Sequence, residues 1–516
     1  MPGCPGEPLG DRSNAARPAL QVGSRGSLEP GRYVWHPWPT GGPMPKTGER
    51  LTWTAAGSGE RLEYATLEVP LDHTDPDGER ISLALSRLRA GDPARRRGVL
   101  IGVTGGPGGD GGLGTGMPSR LAGTPLAEVY DLIGFDPRGT GASTPLRIEV
   151  TPTTVPFDSR PPDSVFEAMA ADMRERELGC LRAGGDTRPH INTRNTARDL
   201  ESIRVALGEE KLNFLGYAYG SYVGAVYGTM FPEHLDRSVL DSCVHPRWTW
   251  RQQFLAQARA VRENVDRWAE WTARRDNHFA LGTTAALAVA AVEGVAAALE
   301  GRLGAAVRTS FDGIVGGLAT DRSAWERLGL LVGALRAATA EGDDERTAAL
   351  LAEHATGGWG ARASEQWRQS VLEAVTLETE WPTDLETYYA DMRVCRERYP
   401  YGHGVLRAAP WVGAFRTFQS PEPPTVLARD GYPTGLVVQA DGDPMDHREG
   451  GEALAELLGH HLITVEDSGD HEVYVLSGSN PRLEAYVERY LVDGVLPPAR
   501  VSVPGARQAP PVPEDA

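Results

Sequence analysis

Three positions in the chain stand in the order that Ser-His-Asp hydrolytic chemistry would need, and two of them have the residue types for it. The first lies in Gly216-Tyr217-Ala218-Tyr219-Gly220, between an apolar run and a helical pattern. In a G-x-S-x-G turn the central side chain stands at a sharp strand-to-helix apex. The flanking positions are glycine because a Cβ there would strike the neighbouring strand and helix. Everything fits except the nucleophile: position 218 is alanine, which has no hydroxyl and can attack nothing. Ser221, three positions past the apex, points elsewhere and is no substitute. Late in the chain, Ala440-Asp441-Gly442-Asp443-Pro444 and Asp467-Ser468-Gly469-Asp470-His471 each follow a strand-like run. A triad on such a sheet runs nucleophile, acid, His along the chain. That order picks Asp443 as the carboxylate that orients an imidazole at His471, with Asp441 as the alternative acid. His460 and His461 precede the last strand, at its wrong end, and read as surface residues.

A fourth element is Thr104-Gly105-Gly106-Pro107-Gly108-Gly109, where backbone N–H groups can point at a developing oxyanion and glycine permits close approach of substrate. Either Gly105 or Gly106 supplies one donor; the N–H of Tyr219, the residue after the apex, supplies the other. Each of these signals has a bland counterpart. Gly216 and Gly220 alone would suit close helix packing, Asp443 a turn before proline, His471 a loop histidine. Their order together favours a site. Asp441, Asp443 and Asp446 lack the spacing and the closing Glu of a calcium loop and read as solvated turn carboxylates. No metal or cofactor is implied.

The elements that must position these residues can be read from apolar patterning. Residues 62–69 and 81–88 flank Asp75-Pro76-Asp77-Gly78 as a hairpin-like strand pair. The runs 98–103 and 129–135 read as buried parallel strands with loops at their C-terminal ends. Residues 196–207 read as a helix capped by Thr196 and Asp199 and stopped at Gly208. Next come a strand at 212–217, a helix from Gly220 that ends before Pro232, and a strand at 237–240. Alternating strands and helices imply a mostly parallel α/β sheet with right-handed crossovers. Residues 246–424 change character, being rich in Ala, Leu, Arg and Glu at helical spacing, and hold nine of the 12 tryptophans. This segment reads as an inserted helical lid whose tryptophans pack helices together or line an apolar pocket. The sheet pattern resumes at 434–440, 450–458, 461–465 and 481–491. The expected organisation is a Pro/Gly-rich lead-in at 1–48, a core at 49–245 and 425–496, the lid at 246–424, and a Pro-rich tail at 497–516. The lead-in carries Tyr33, Trp35 and Trp38, and part of it is expected to pack on the body.

Composition narrows the partners. With 516 residues, 40% hydrophobic and 24% charged, the chain can bury a large core. A formal charge of −18 disfavours nucleic acid, since no Lys/Arg run exceeds Arg95-Arg96-Arg97. A cationic or neutral small molecule or short peptide suits it better. Residues 1–30 lack the apolar run of a secretory signal, and the longest relevant apolar stretch, 285–292, is too short for a bilayer. These features read as cytoplasmic, with no membrane partner. The four cysteines, Cys4, Cys180, Cys243 and Cys395, leave room for one bridge and form no disulfide framework.

The combination of Val69-Pro70-Leu71-Asp72, Gly105-Gly106-Pro107-Gly108-Gly109, Asp136-Pro137-Arg138-Gly139-Thr140-Gly141, the elbow, Phe231-Pro232, Leu240-Asp241, Asp443-Pro444 and His471 resembles the tripeptidyl/prolyl aminopeptidase group of α/β-hydrolases. This is peptidase family S33 with a TAP-like C-terminal domain, and the resemblance covers residues 60–495. It implies an α/β-hydrolase fold and a Ser-His-Asp serine hydrolase with a helical lid that cleaves short N-terminal peptides or related amides and esters. Carried over by position, it places Ala218 at the nucleophile, Asp443 as acid and His471 as base. It also suggests Glu378, Glu380 and Asp384 as lid acids for a substrate ammonium, against the plain reading of an exposed acidic face. The chain departs from the group at Thr376-Leu377-Glu378-Thr379-Glu380-Trp381-Pro382, where exported relatives carry extra cysteines. The larger departure, Ala218, has two explanations. One is a designed Ser→Ala change that leaves acid, base, oxyanion loop and elbow glycines intact, which those intact elements favour. The other is a natural non-hydrolytic protein, either a lyase or cyclase using His471 as base or a binding module.

Overall fold

The computed structural model describes residues 51–57, 61–108, 114–149, 151–354 and 370–515. Tyr33, Trp35, Trp38, Cys4 and Gly109 lie outside them. Ten strands form one sheet: β1 (Thr54–Ala55), β2 (Leu62–Pro70), β3 (Arg80–Leu88), β4 (Val99–Val103), β5 (Asp131–Phe135), β6 (Leu212–Tyr217), β7 (Leu235–Asp241), β8 (Leu436–Ala440), β9 (His461–Glu466) and β10 (Arg500–Pro504). Their spatial order is β1-β2-β3-β5-β4-β6-β7-β8-β9-β10. The β2–β3 hairpin is antiparallel, as is the β3–β5 pair, and every pairing from β5 to β10 is parallel. The sequence dictates this division. β2 alternates buried and half-buried positions, whereas β4, β6 and β8 are buried at every residue, as strands covered on both faces must be.

Between β7 and β8 the chain leaves the sheet for a set of helices, including Arg251–Ala273, Ala285–Leu303, Ala305–Thr320, Trp325–Glu341 and Leu385–Arg398. The first four enclose an apolar cluster of their own around Trp268, Leu299, Phe311, Leu328 and Leu335. Here the tryptophans join helix to helix: Trp268 Nε1 donates to Trp325 O and Trp325 Nε1 to Ala319 O. Trp250 and Trp381 belong instead to the cluster that backs the sheet, and Trp250 packs on Tyr219 and Tyr222 at centroid distances of 5.8 and 5.5 Å.

Three local expectations change. The segment expected as a Pro-rich tail supplies β10, which pairs in parallel with β9 from Arg500↔Leu462 to Pro504↔Glu466. Val501 and Val503 carry a period-two pattern that proline content obscured, and Pro504 sits on an edge strand, where its missing N–H costs nothing. Beyond β10, Val512 is buried in the helical cluster and its carbonyl accepts from Arg275 Nε. His460 is buried, not a surface residue; its Nδ1 accepts from the Gly435 N–H, and burial pushes its pKa down to about 3. The helix expected from Thr196 begins at Thr193, because Asn192 is the cap and accepts from the Asn195 N–H at 2.9 Å. Asp199, read as a capping partner, is instead a buried carboxylate that grips Arg138 with two bonds of 2.7 Å.

Candidate active site

The elbow follows from β6 and the helix Tyr219–Met230 meeting with one residue between them. That residue, Ala218, has φ 50° and ψ −119°, a conformation that side-chain-bearing residues seldom adopt. Its N–H donates to Asp241 O at the end of β7, which fixes the turn to the sheet. The flanking glycines have no room for anything else. A Cβ on Gly216 would lie 2.4 Å from Gly220 O, and one on Gly220 would lie 2.3 Å from Val103 O. A Cβ on Gly105 would come within 2.6 Å of the Ala218 Cβ, so the 104–108 loop stands directly over the apex. Gly106 in that loop has φ 126°. Tyr219 opens the helix, so its N–H has no partner within the helix. Ser221 is occupied elsewhere: its hydroxyl donates to Ala218 O and accepts from the Val244 N–H.

The structure brings Asp443 and His471 together. The imidazole Nδ1 lies 3.0 and 2.9 Å from the two Asp443 oxygens, and Asp443 also accepts from the Met445 and Asp446 N–H groups. Asp441 does not reach the ring. It accepts from the Asp467 and Ser468 N–H groups and pairs with Arg267, tying the two late loops to each other and to the helix Arg251–Ala273. A further carboxylate that sequence reasoning passed over holds the histidine loop. Asp241 accepts from the Val473 and Tyr474 N–H groups and the Ser242 hydroxyl, while Ser242 Oγ accepts from the Glu472 N–H. Burial pushes the Asp241 pKa up to about 6 against those donors.

Asp446 and Glu472 are the other missed residues. Asp443 and Asp446, read as solvated turn carboxylates, are both buried, because the β8 loop folds under the helix Arg251–Ala273. Gln253 on that helix donates to Asp446 Oδ1 at 2.6 Å, and Asp446 Oδ2 lies 3.9 Å from His471 Nε2, on the side of the ring away from Asp443. Glu472 has φ 59°, and its Oε1 lies 3.1 Å from where a Gly105 Cβ would stand. Burial opposes a charge on His471, but Asp443 first, then Asp446 and Glu472, outweigh it and push its pKa up to about 10. The Asp443-Pro444-Met445-Asp446 spacing across a turn was the only local signal for Asp446.

The three acids suggested for a substrate ammonium, Glu378, Glu380 and Asp384, separate. Glu378 is buried and accepts from the Thr193 N–H, the Thr193 hydroxyl and Trp250 Nε1. Burial pushes its pKa up to about 7. It meets the elbow through Thr193, whose Oγ1 lies 2.9 Å from the Tyr219 hydroxyl, and through Trp250, which packs on Tyr219. Glu380 is exposed and pairs with Arg416, and Asp384 caps the helix Leu385–Arg398 by accepting from the Glu386 N–H. A narrow cleft opens beside the elbow, lined by Gly105, Pro107, Tyr219, Thr196, Val371 and Val375. Among the described residues, the three cysteines are buried and free, and no helix is long and apolar enough to cross a membrane.

Comparison with known proteins agrees with this geometry. The model of the alpha/beta hydrolase fold family matches residues 98–477. Tripeptidyl aminopeptidase of Streptomyces lividans is 32% identical over 459 residues, spanning 84% of this chain and 82% of that protein. Serine protease Hip1 of Mycobacterium tuberculosis is 28% identical over 505 residues, spanning 88% and 91%. Carboxylesterase B of Mycobacterium tuberculosis is 28% identical over 458 residues, spanning 84% and 85%. With a strand–elbow–helix apex, a late acid–imidazole pair and these relatives along most of its length, the chain belongs to the α/β-hydrolase fold family and, within it, to the tripeptidyl aminopeptidase-like group.

Proposed function

We propose that this chain is a peptidase-type serine hydrolase scaffold of the S33 kind whose nucleophile position holds alanine, and that it binds a short peptide or acyl ligand without forming an acyl-enzyme. The observation that carries the reading is Ala218 at the apex of the elbow, at φ 50° between two glycines that admit no Cβ, with Asp443 and His471 paired in the loops that follow β8 and β9. In the parent reaction a serine hydroxyl at 218 attacks the carbonyl and His471 Nε2 takes its proton, later returning it to the leaving group. Asp443 orients the ring through Nδ1, and the N–H groups of Tyr219 and of Gly105 or Gly106 stabilise the oxyanion. No cofactor is needed. Without the hydroxyl, the binding surface and the oxyanion donors remain but the covalent step cannot begin.

Ala218→Ser tests this. The variant is expected to label with a fluorophosphonate and to cleave aminoacyl or tripeptidyl chromogenic amides or short acyl esters somewhere between pH 6 and 10, while the unmodified chain does neither. A folded Ala218→Ser chain that neither labels nor hydrolyses at any of these pH values would sink the reading. Turnover by the Ala218 form that disappears with His471→Ala would instead favour a lyase or cyclase.

A further inference from the structure

A serine hydrolase needs an imidazole with a free lone pair on Nε2. The surroundings of His471 work against that. Asp443 takes Nδ1 at 2.9 Å, and Asp446, buried and held by Gln253, faces Nε2 at 3.9 Å. Burial pushes the Asp446 pKa up to about 8 against the pull of His471, so Asp446 is an anion over the alkaline range in which the ring would lose its proton. Glu472, the next residue along the chain, adds a third carboxylate beside the oxyanion loop. Among the described residues, the neighbouring cations are spent on other acids. The helix Arg251–Ala273 presents the neutral Gln253 to the site, while its Arg267 is paired with Asp441 and its Arg259 with Glu449. Asp241, from β7, is committed to the Val473 and Tyr474 amides and to Ser242. Gln253 orients Asp446 so that one oxygen is spent on the amide and the other is left for the ring.

We propose that Asp446 is a positioning residue that holds His471 doubly protonated between two carboxylates, so that the ring is kept from acting as a base. The inference rests on the proposed function only in taking His471 as the base of the parent reaction. An imidazole protonated on both nitrogens cannot accept the proton of a hydroxyl at 218. Alanine there is then one of two blocks on hydrolysis, and replacing it removes only the first.

The direct test is the 15N imidazole spectrum of the unmodified chain across pH 5–11, with His471 assigned by the loss of its signals in His471→Gln. Both ring nitrogens are expected to stay protonated at pH 8. Asp446→Asn is expected to lower the titration midpoint by about 1–3 on the pH scale, the usual effect of removing an opposite charge at this range. Asp446→Ser gives the same reading if the asparagine chain does not fold. A midpoint near that of a free histidine in the unmodified chain, or one that neither variant moves, overturns the proposal. Kinetics separate it from the functional reading. Ala218→Ser should hydrolyse best at alkaline pH. Adding Asp446→Asn should move the profile downward, raising the rate at pH 7 about tenfold for each pH unit by which the midpoint falls. If neither chain hydrolyses but the midpoint moves, the function fails and the positioning role stands. If Ala218→Ser is already optimal near pH 7 and Asp446→Asn leaves its profile unchanged, the function stands and the positioning role fails.

Discussion

Glu378→Gln measures whether the acid hydrogen-bonded to Thr193 and Trp250 is a charged binding group or a buried neutral one. The residue is 8% exposed and accepts three hydrogen bonds, from the Thr193 N–H and hydroxyl and from Trp250 Nε1. Burial outweighs those donors and lifts its pKa from 4.5 to about 7. A carboxyl whose folded value is raised binds more protons folded than unfolded between those two limits. Stability is therefore full below pH 4.5 and is lost as pH rises through 7. The span corresponds to about 3 kcal/mol. Glutamine does not titrate, so the difference in unfolding free energy between the two chains isolates Glu378 from every other group. At pH 4.5 the glutamine chain is expected to be less stable by about 1–3 kcal/mol, because its amide nitrogen turns a donor toward the Thr193 donors. By pH 8 that gap should have narrowed or reversed by about 3 kcal/mol. Urea unfolding at pH 4.5, 6, 7 and 8, followed by tryptophan fluorescence, supplies the comparison. A gap that stays constant within about 0.5 kcal/mol across this range would refute the reasoning and return Glu378 to the role of an ionised carboxylate suited to a substrate ammonium.

Two further outcomes follow from buried contacts. Arg138→Met or Asp199→Asn should each cost about 3–5 kcal/mol, since the first leaves Asp199 buried with the His73 ring alone in place of the guanidinium and the second leaves Arg138 buried without its counter-charge. The double variant should cost less than the sum, and strictly additive losses in thermal or urea unfolding would show that the pair is not coupled. The Asp199 pKa is lowered, with burial opposing and Arg138 prevailing, so its stabilisation is present at neutral pH and is lost as pH falls through the carboxyl range. Truncation after residue 496 removes β10 and Val512, uncovering the β9 edge and part of the helical cluster. The shortened chain should melt at a lower temperature and bind a hydrophobic dye; an unchanged melting temperature would show that the segment is dispensable.

Much of the fold was legible because the signals were local. The all-apolar runs at β4, β6 and β8 mark strands covered on both faces, and the glycines at 216 and 220 mark a turn where a Cβ would strike carbonyl oxygens 2.4 and 2.3 Å away. The same local reading failed where a second pattern competed. Proline content hid the Val501/Val503 alternation of β10. A Thr196–Asp199 spacing that suits a cap drew attention from Asn192, although Asp199 is needed inside to neutralise Arg138.

The site divides along the same line. Ala218, Asp443 and His471 could be picked from residue type and order, since each sits at the C-terminal end of a strand and strand ends can be found from apolar runs alone. The protonation of His471 could not. It depends on a carboxylate three residues past Asp443 being folded back toward Nε2, and that placement is fixed by Gln253 from a helix almost two hundred residues earlier in the chain. A sequence displays charge but not burial, and burial decides here. In solvent, Asp446 would be screened and His471 would titrate as an ordinary histidine. Under the helix Arg251–Ala273 the same carboxylate is buried and lies 3.9 Å from Nε2. The missing hydroxyl at 218 is a difference of one atom that any reader of the sequence can see. The second block is an arrangement of two acids on either side of one ring, and it is visible only where the helix Arg251–Ala273 packs over the β8 loop.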